Sequence, residues 1–129
     1  MAGIRAGTPA PGILVVDDQA ENRDWLMKLL TSVGFSVRDA DNGEAAIRNW
    51  TEWYPRLILM DLHMPVMDGL EATRRIKAEP RGKETVIVTL TASAMGEDRR
   101  TAAECGADDF LAKPCREDEL LSKLSLIHI

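Results

Sequence analysis

Five short apolar runs, each followed by a stretch with helical spacing, constrain this chain more than any other feature. The runs are Ile13-Leu14-Val15-Val16, Phe35 to Ala40, Leu57-Ile58-Leu59-Met60 closed by Asp61, Val86-Ile87-Val88-Thr89-Leu90 running into Thr91, and Phe110-Leu111-Ala112. The central run, bounded by Trp53-Tyr54-Pro55 and Met64-Pro65, fits a strand buried on both faces whose last residue emerges into a loop. Between the runs, Trp25, Leu26, Leu29, Leu30 and Val33 recur at helical spacing up to a stop at Gly34. An Asp41-Asn42-Gly43 turn leads into a second helix over Glu44 to Trp50. Asp68 can cap a third, with Leu70, Ala72, Thr73 and Ile76 inward and an end before Pro80. A polar, alanine-rich helix over 96–105 stops at Gly106, and Glu117 to Leu124 forms the last. Strict alternation with helix-length crossovers specifies a parallel sheet covered on both faces, an α/β, doubly wound (βα)5 fold. Alternation alone leaves the strand order open.

A chain of 129 residues suits one domain, placed at 12–126. Residues 1–11, rich in small residues, read as a flexible tether or cloning remnant, and 127–129 as a tail. There is no signal peptide core and no run of transmembrane length, so no membrane contact and a cytoplasmic location are expected. The net charge of −5 and the lack of a basic patch beyond Arg74-Arg75 or Arg99-Arg100 argue against nucleic-acid binding. Cys105 and Cys115, without a Cys-x-x-Cys pair or a histidine cluster, form neither a zinc site nor a disulfide framework.

The fold brings Asp17, Asp18, Asp61, Thr91 and Lys113 to the carboxyl ends of strands one, three, four and five, the edge where ligands collect in open α/β sheets. Carboxylates so placed repel one another unless they share a cation. An all-oxygen set suits Mg2+, and the absence of nearby His or Cys pairs speaks against zinc or copper. Lys113 adds a positive charge and Thr91 a hydroxyl. Together they describe a site for a phosphoryl group, in which one aspartate can act as nucleophile and carry it as an acyl phosphate. Asp61 is favoured because it is single and central, whereas the Asp17-Asp18 pair looks built for metal.

Asp17-Asp18, the stretch Met60-Asp61-Leu62-His63-Met64-Pro65-Val66-Met67-Asp68-Gly69, Leu90-Thr91-Ala92 and Asp109-Phe110-Leu111-Ala112-Lys113-Pro114 resemble the response-regulator receiver domain of two-component signalling. The match runs from about Ile13 to Leu124, and its wording, with Leu90-Thr91-Ala92-Ser93-Ala94, is most like receivers of hybrid sensor histidine kinases. The resemblance implies the CheY-like, flavodoxin-like strand order 2-1-3-4-5. It also implies Asp61 as phosphoacceptor, Asp17, Asp18, Asp61 and the His63 backbone carbonyl as Mg2+ ligands, Thr91 as switch hydroxyl and Lys113 as phosphate partner. Phe110 falls on the aromatic switch position, where a phenyl ring can rotate but offers no phenol hydrogen bond. The implied partners are a sensor histidine kinase or a histidine phosphotransfer domain, and a weak homodimer is compatible with the reading. The Lys113-Pro114 peptide is commonly cis in such proteins.

Each residue also has a plainer reading. Asp61 can be a loop or capping acid, and Asp17 or Asp18 the cap of the first helix. Lys113 can be a surface lysine and Thr91 a strand residue. Phe110 can be core, His63 a solvent-facing loop histidine, Met60, Met64 and Met67 packing, and the cysteines inert. The five matched positions in company favour the site. Three rival functions are weaker. A haloacid-dehalogenase-like Asp-nucleophile phosphatase wants Asp-x-Asp after the first strand, which Asp17-Asp18-Gln19 lacks. An interaction-only pseudo-receiver would have lost an acid or the lysine. A flavodoxin needs a phosphate loop that Asp17-Asp18 would repel. A receiver promotes its own phosphorylation and dephosphorylation without being a turnover enzyme in the usual sense.

Overall fold

The computed structural model describes residues 11–91, 97–113 and 116–126. The elements are β1 (Gly12–Val16), α1 (Ala20–Val33), β2 (Ser36–Ala40), α2 (Gly43–Trp53), β3 (Leu57–Asp61), α3 (Gly69–Ala78), a 3₁₀ turn (Pro80–Glu84), β4 (Val86–Thr91), α4 (Glu97–Glu104), β5 (Asp109–Ala112) and α5 (Glu117–Leu126). The strands form one sheet in the order β2-β1-β3-β4-β5, with every neighbouring pair parallel. The α/β (βα)5 reading and the 2-1-3-4-5 order are therefore both present. The Lys113-Pro114 peptide, Cys115, Ala92-Ser93-Ala94, the bulk of the 1–11 tether and the 127–129 tail lie outside the described residues.

Strand alternation divides the core in two. Ile13, Val15, Leu57, Leu59, Val88, Leu90 and Leu111 pack against Leu26 and Leu30 of α1 and Leu120 and Leu124 of α5. Leu14, Val16, Ile58, Met60 and Ile87 face the other way, against Ala46 and Trp50 of α2 and Ala72 and Ile76 of α3. All five residues of β3 are buried, as a strand covered on both faces requires. Met64 and Met67 pack onto the second cluster, which bears out their reading as packing.

Several boundaries differ from the sequence reading. Phe35 does not open β2: its N–H donates to the Leu30 carbonyl at 3.1 Å and its ring is buried. It thus closes the end of α1 after Gly34, whose φ of 113° is left-handed. Helix α2 continues past Trp50 to Trp53, where Tyr54 caps it at φ 49°. Trp50 is fixed by its indole N–H, which donates to the buried Thr85 hydroxyl at 2.9 Å. Trp25 is 44% exposed and not inward, because the buried stripe of α1 runs through Leu26 and Leu30, one residue round the helix. Leu70 is half-buried, and Cys105 is a half-buried free thiol. No helix among the described residues is long and apolar enough to cross a membrane.

Candidate functional site

The register sets the site. Val16 pairs with Met60, Asp61 with Leu90 and Thr91 with Ala112, so the carboxyl ends of four strands finish nearly level. The residues ending or following them, Asp17, Asp61, Thr91 and Lys113, accordingly meet at one edge. The Lys113 N–H donates to the Thr91 carbonyl at 2.7 Å, tying the ends of β4 and β5 together.

Asp17 has no exposed surface. Its Oδ1 accepts the Gln19 N–H at 2.9 Å, its Oδ2 lies 3.5 Å from Asn22 Nδ2, and Arg23 donates to its carbonyl at 2.8 Å while also meeting Asp39 at 3.1 Å. The first turn of α1 thus fixes one acid, while its neighbour Asp18 is exposed. Asp61 is 6% exposed. Half-buried Lys113 reaches two acids, with Nζ 3.1 Å from Asp17 Oδ2 and 3.4 Å from Asp61 Oδ2. One carboxylate oxygen from each of Asp17, Asp18 and Asp61 lies within 4.8 Å of the others. Three carboxylates against one ammonium leave two negative charges unmatched, and the donors are all oxygen, which fits a hard divalent cation such as Mg2+.

Burial raises the Asp61 carboxyl above its ordinary range; Lys113 pulls it back, and the charges of Asp17 and Asp18 push it further up. For Lys113, burial works against the ammonium, but the hydrogen bond to Asp17 and the fields of Asp61 and Asp17 outweigh it, so its value lies above that of an ordinary lysine. Asp61 is held where its charge is costly, and Lys113 where its charge is secure.

The loop over 62–68 leaves Asp61 and returns as α3. It is closed at its base by Gly69 N–H on the Leu62 carbonyl at 2.9 Å and pinned at its far end by Gly43 N–H on the Met67 carbonyl at 2.7 Å. Between them Met67 N–H donates to the Pro65 carbonyl at 2.8 Å around Val66, which sits at φ 69° with its side chain 79% exposed. A β-branched residue there stores about 1–3 kcal/mol of strain. Asp68 caps α3 by accepting the Glu71 N–H at 2.9 Å, as its spacing predicts. His63 is exposed on this loop.

Thr91 is buried at the end of β4. Phe110 lies on the flank of α4: it is half-buried, with the Arg99 guanidinium 3.9 Å and the Lys123 ammonium 5.7 Å from its ring centre. The supporting groups Gln19, Asn22, Arg23 and Gly43 were not singled out from sequence. Polar residues just after Asp17-Asp18 were the available signal for the first three; nothing in the sequence pairs Gly43 with Met67.

The chain belongs to the response-regulator receiver domain family, whose model matches residues 13–125. Receiver domains accept a phosphoryl group in two-component signalling and bind Mg2+ at an acidic site. Among solved structures, the receiver domain of the sensor histidine kinase PA1611 from Pseudomonas aeruginosa superposes with a TM-score of 0.86 at 35% identity, covering 92% of this chain and 98% of that one; it was solved with a magnesium ion coordinated in its active-site cleft. The receiver domain of Ssk1 from Saccharomyces cerevisiae, co-crystallised with the histidine phosphotransfer protein Ypd1, gives 0.85 at 32% identity, covering 91% and 88%. The sensor histidine kinase GacS of Pseudomonas protegens is 40% identical over 115 residues, 86% of this chain and 12% of the kinase. The chain spans about half the length of the transcriptional regulators that it also matches.

Proposed function

We propose that Asp61 receives the phosphoryl group. The observation that carries the reading is the meeting of three carboxylates with Lys113 at the strand ends: Lys113 Nζ touches both Asp17 and Asp61, and a net negative charge is left for a divalent ion to offset. An Asp61 carboxylate oxygen attacks the phosphorus of a phosphohistidine on a sensor kinase or phosphotransfer domain. The new O–P bond forms as the P–N bond breaks, and the imidazole, already protonated on its other ring nitrogen, takes the electron pair and leaves neutral. Asp17, Asp18, Asp61 and the His63 carbonyl would hold Mg2+, which supplies positive charge against the carboxylates and the phosphoryl oxygens.

Lys113 then exchanges its contact with Asp61 for a phosphoryl oxygen, and the Thr91 hydroxyl donates to another. The Lys113–Thr91 backbone bond supports a coupled movement, favouring a different arrangement of α4, β5 and α5 with Phe110 as its aromatic reporter. Attack of water on the acyl phosphate returns the carboxylate and inorganic phosphate. In this reading the unit is residues 12–126, working in the cytoplasm as a receiver of the hybrid-kinase type. The test is incubation with acetyl phosphate and MgCl2 followed by intact mass: the wild type gains one phosphoryl group and Asp61→Asn gains none. A wild type unchanged in mass, or an Asp61→Asn protein modified equally, overturns the assignment.

A further inference from the structure

We propose that Gly43 is a positioning residue of the acidic site: its N–H, at the start of α2, holds the 62–68 loop through the Met67 carbonyl and so sets how tightly the carboxylates retain a divalent cation. The proposal rests on the phosphoryl-acceptor reading, in which the His63 carbonyl of that loop is an oxygen ligand.

The N–H groups of a first helical turn have no partner within the helix and take one from outside. In α2 the Asn42 side chain accepts the Ala45 N–H at 2.9 Å, and the Gly43 N–H goes to Met67. Glycine is required by closeness: a Cβ at residue 43 would stand 2.5 Å from the Met67 carbonyl oxygen and 2.9 Å from that of Asp68. Any larger residue must push the loop outward. Exposed Val66 has little side-chain packing to hold its φ of 69°, so that conformation depends on the backbone bonds at Met67 and at the loop base. The contact at Met67 and the ligand carbonyl at His63 are thus two points of one short, closed loop. A displacement at the first carries to the second, where Mg2+ tolerates little departure from its preferred geometry.

The test titrates the full chain with MgCl2 and follows backbone amides by NMR. In the wild type the Gly43 amide shifts with the same Kd as the Asp61 amide. Gly43→Ala raises the Mg2+ Kd tenfold or more. Asn42→Ala, which loses the α2 cap and keeps Gly43, lowers Tm yet leaves Kd within about twofold, separating positioning from helix stability. A Gly43→Ala Kd within twofold of wild type, or an Asn42→Ala protein weakened as much as Gly43→Ala, overturns the proposal. Should Gly43→Ala fail to fold, the wild type decides: a Gly43 amide that stays still while Asp61 shifts overturns it. A wild type with no Mg2+-dependent shift anywhere overturns the acceptor reading itself, a distinct result.

Discussion

Replacing Asp61 with asparagine should make the metal-free protein more stable at neutral pH, although Asp61 lies at the centre of the site. At an effective dielectric of about 20, attraction to Lys113 across 3.4 Å is worth about 5 kcal/mol. Carboxylate oxygens of Asp17 and Asp18, both within 4.8 Å, each oppose it by at least about 3.5 kcal/mol, the share of exposed Asp18 roughly halved by solvent, so repulsion reaches at least about 5 kcal/mol. The repulsion at least offsets the attraction. Burial then decides the sign, in keeping with a carboxyl raised above its ordinary value chiefly by desolvation. The amide side chain of Asp61→Asn would keep the shape, lose the buried charge and leave Lys113 paired to Asp17, for a gain of about 1–2 kcal/mol, or roughly 3–6 °C in Tm.

The pH dependence follows from the same shift. As pH rises past the ordinary carboxylate value near 3.8, the unfolded chain releases the Asp61 proton first, so the wild type loses stability until the folded carboxyl has also ionised. The advantage of Asp61→Asn is therefore absent in acid and full at neutrality. Urea unfolding in chelator at pH 7 measures it. MgCl2 at about 100 times its Kd should then return about 2.7 kcal/mol to the wild type and much less to the variant, reversing their order. A metal-free Asp61→Asn protein less stable than wild type at pH 7 would refute the reasoning.

Two other outcomes follow from named contacts. Lys113→Ala leaves Asp17 and Asp61 facing each other without their ammonium, so stability at pH 7 should fall by about 1–3 kcal/mol; because the folded lysine lies above its ordinary value, that contribution persists through neutrality and is lost only as pH rises through the folded lysine's value, which denaturant midpoints across pH will show. Trp50→Phe removes the indole donor to Thr85 and leaves a partly filled space, costing about 1–3 kcal/mol by the same measurement, with Mg2+ affinity unchanged.

What the sequence disclosed was whatever depends on local pattern. Leu57 to Asp61 is legible because a strand covered on both faces needs apolar residues at every position, and Asp68 because a cap needs only its own N–H partner three residues on. The acids at Asp17, Asp18 and Asp61 were visible as acids ending apolar runs. Their order across the sheet was not, and came through family resemblance. Trp25 misled because apolarity is shared by buried stripe and exposed flank, and Phe35 because a residue closing a helix looks like one opening a strand. The hold of Gln19, Asn22 and Arg23 on Asp17, and the nearness of Lys113 to Asp17 as well as Asp61, depend on the alignment of β1 with β3 and β5 with β4, which no run of residues encodes.

The strand order also bears on how this chain behaves among its neighbours in a crowded solution. The most apolar strands, β1, β3 and β4, are each paired on both sides, and the two outer positions fall to β2, with Arg38 and Asp39, and to β5, only four residues long and opened by Asp109. Short or charged borders are poor templates for a foreign strand. The sheet is thereby protected against growing from molecule to molecule while its helices and loops stay open to partners.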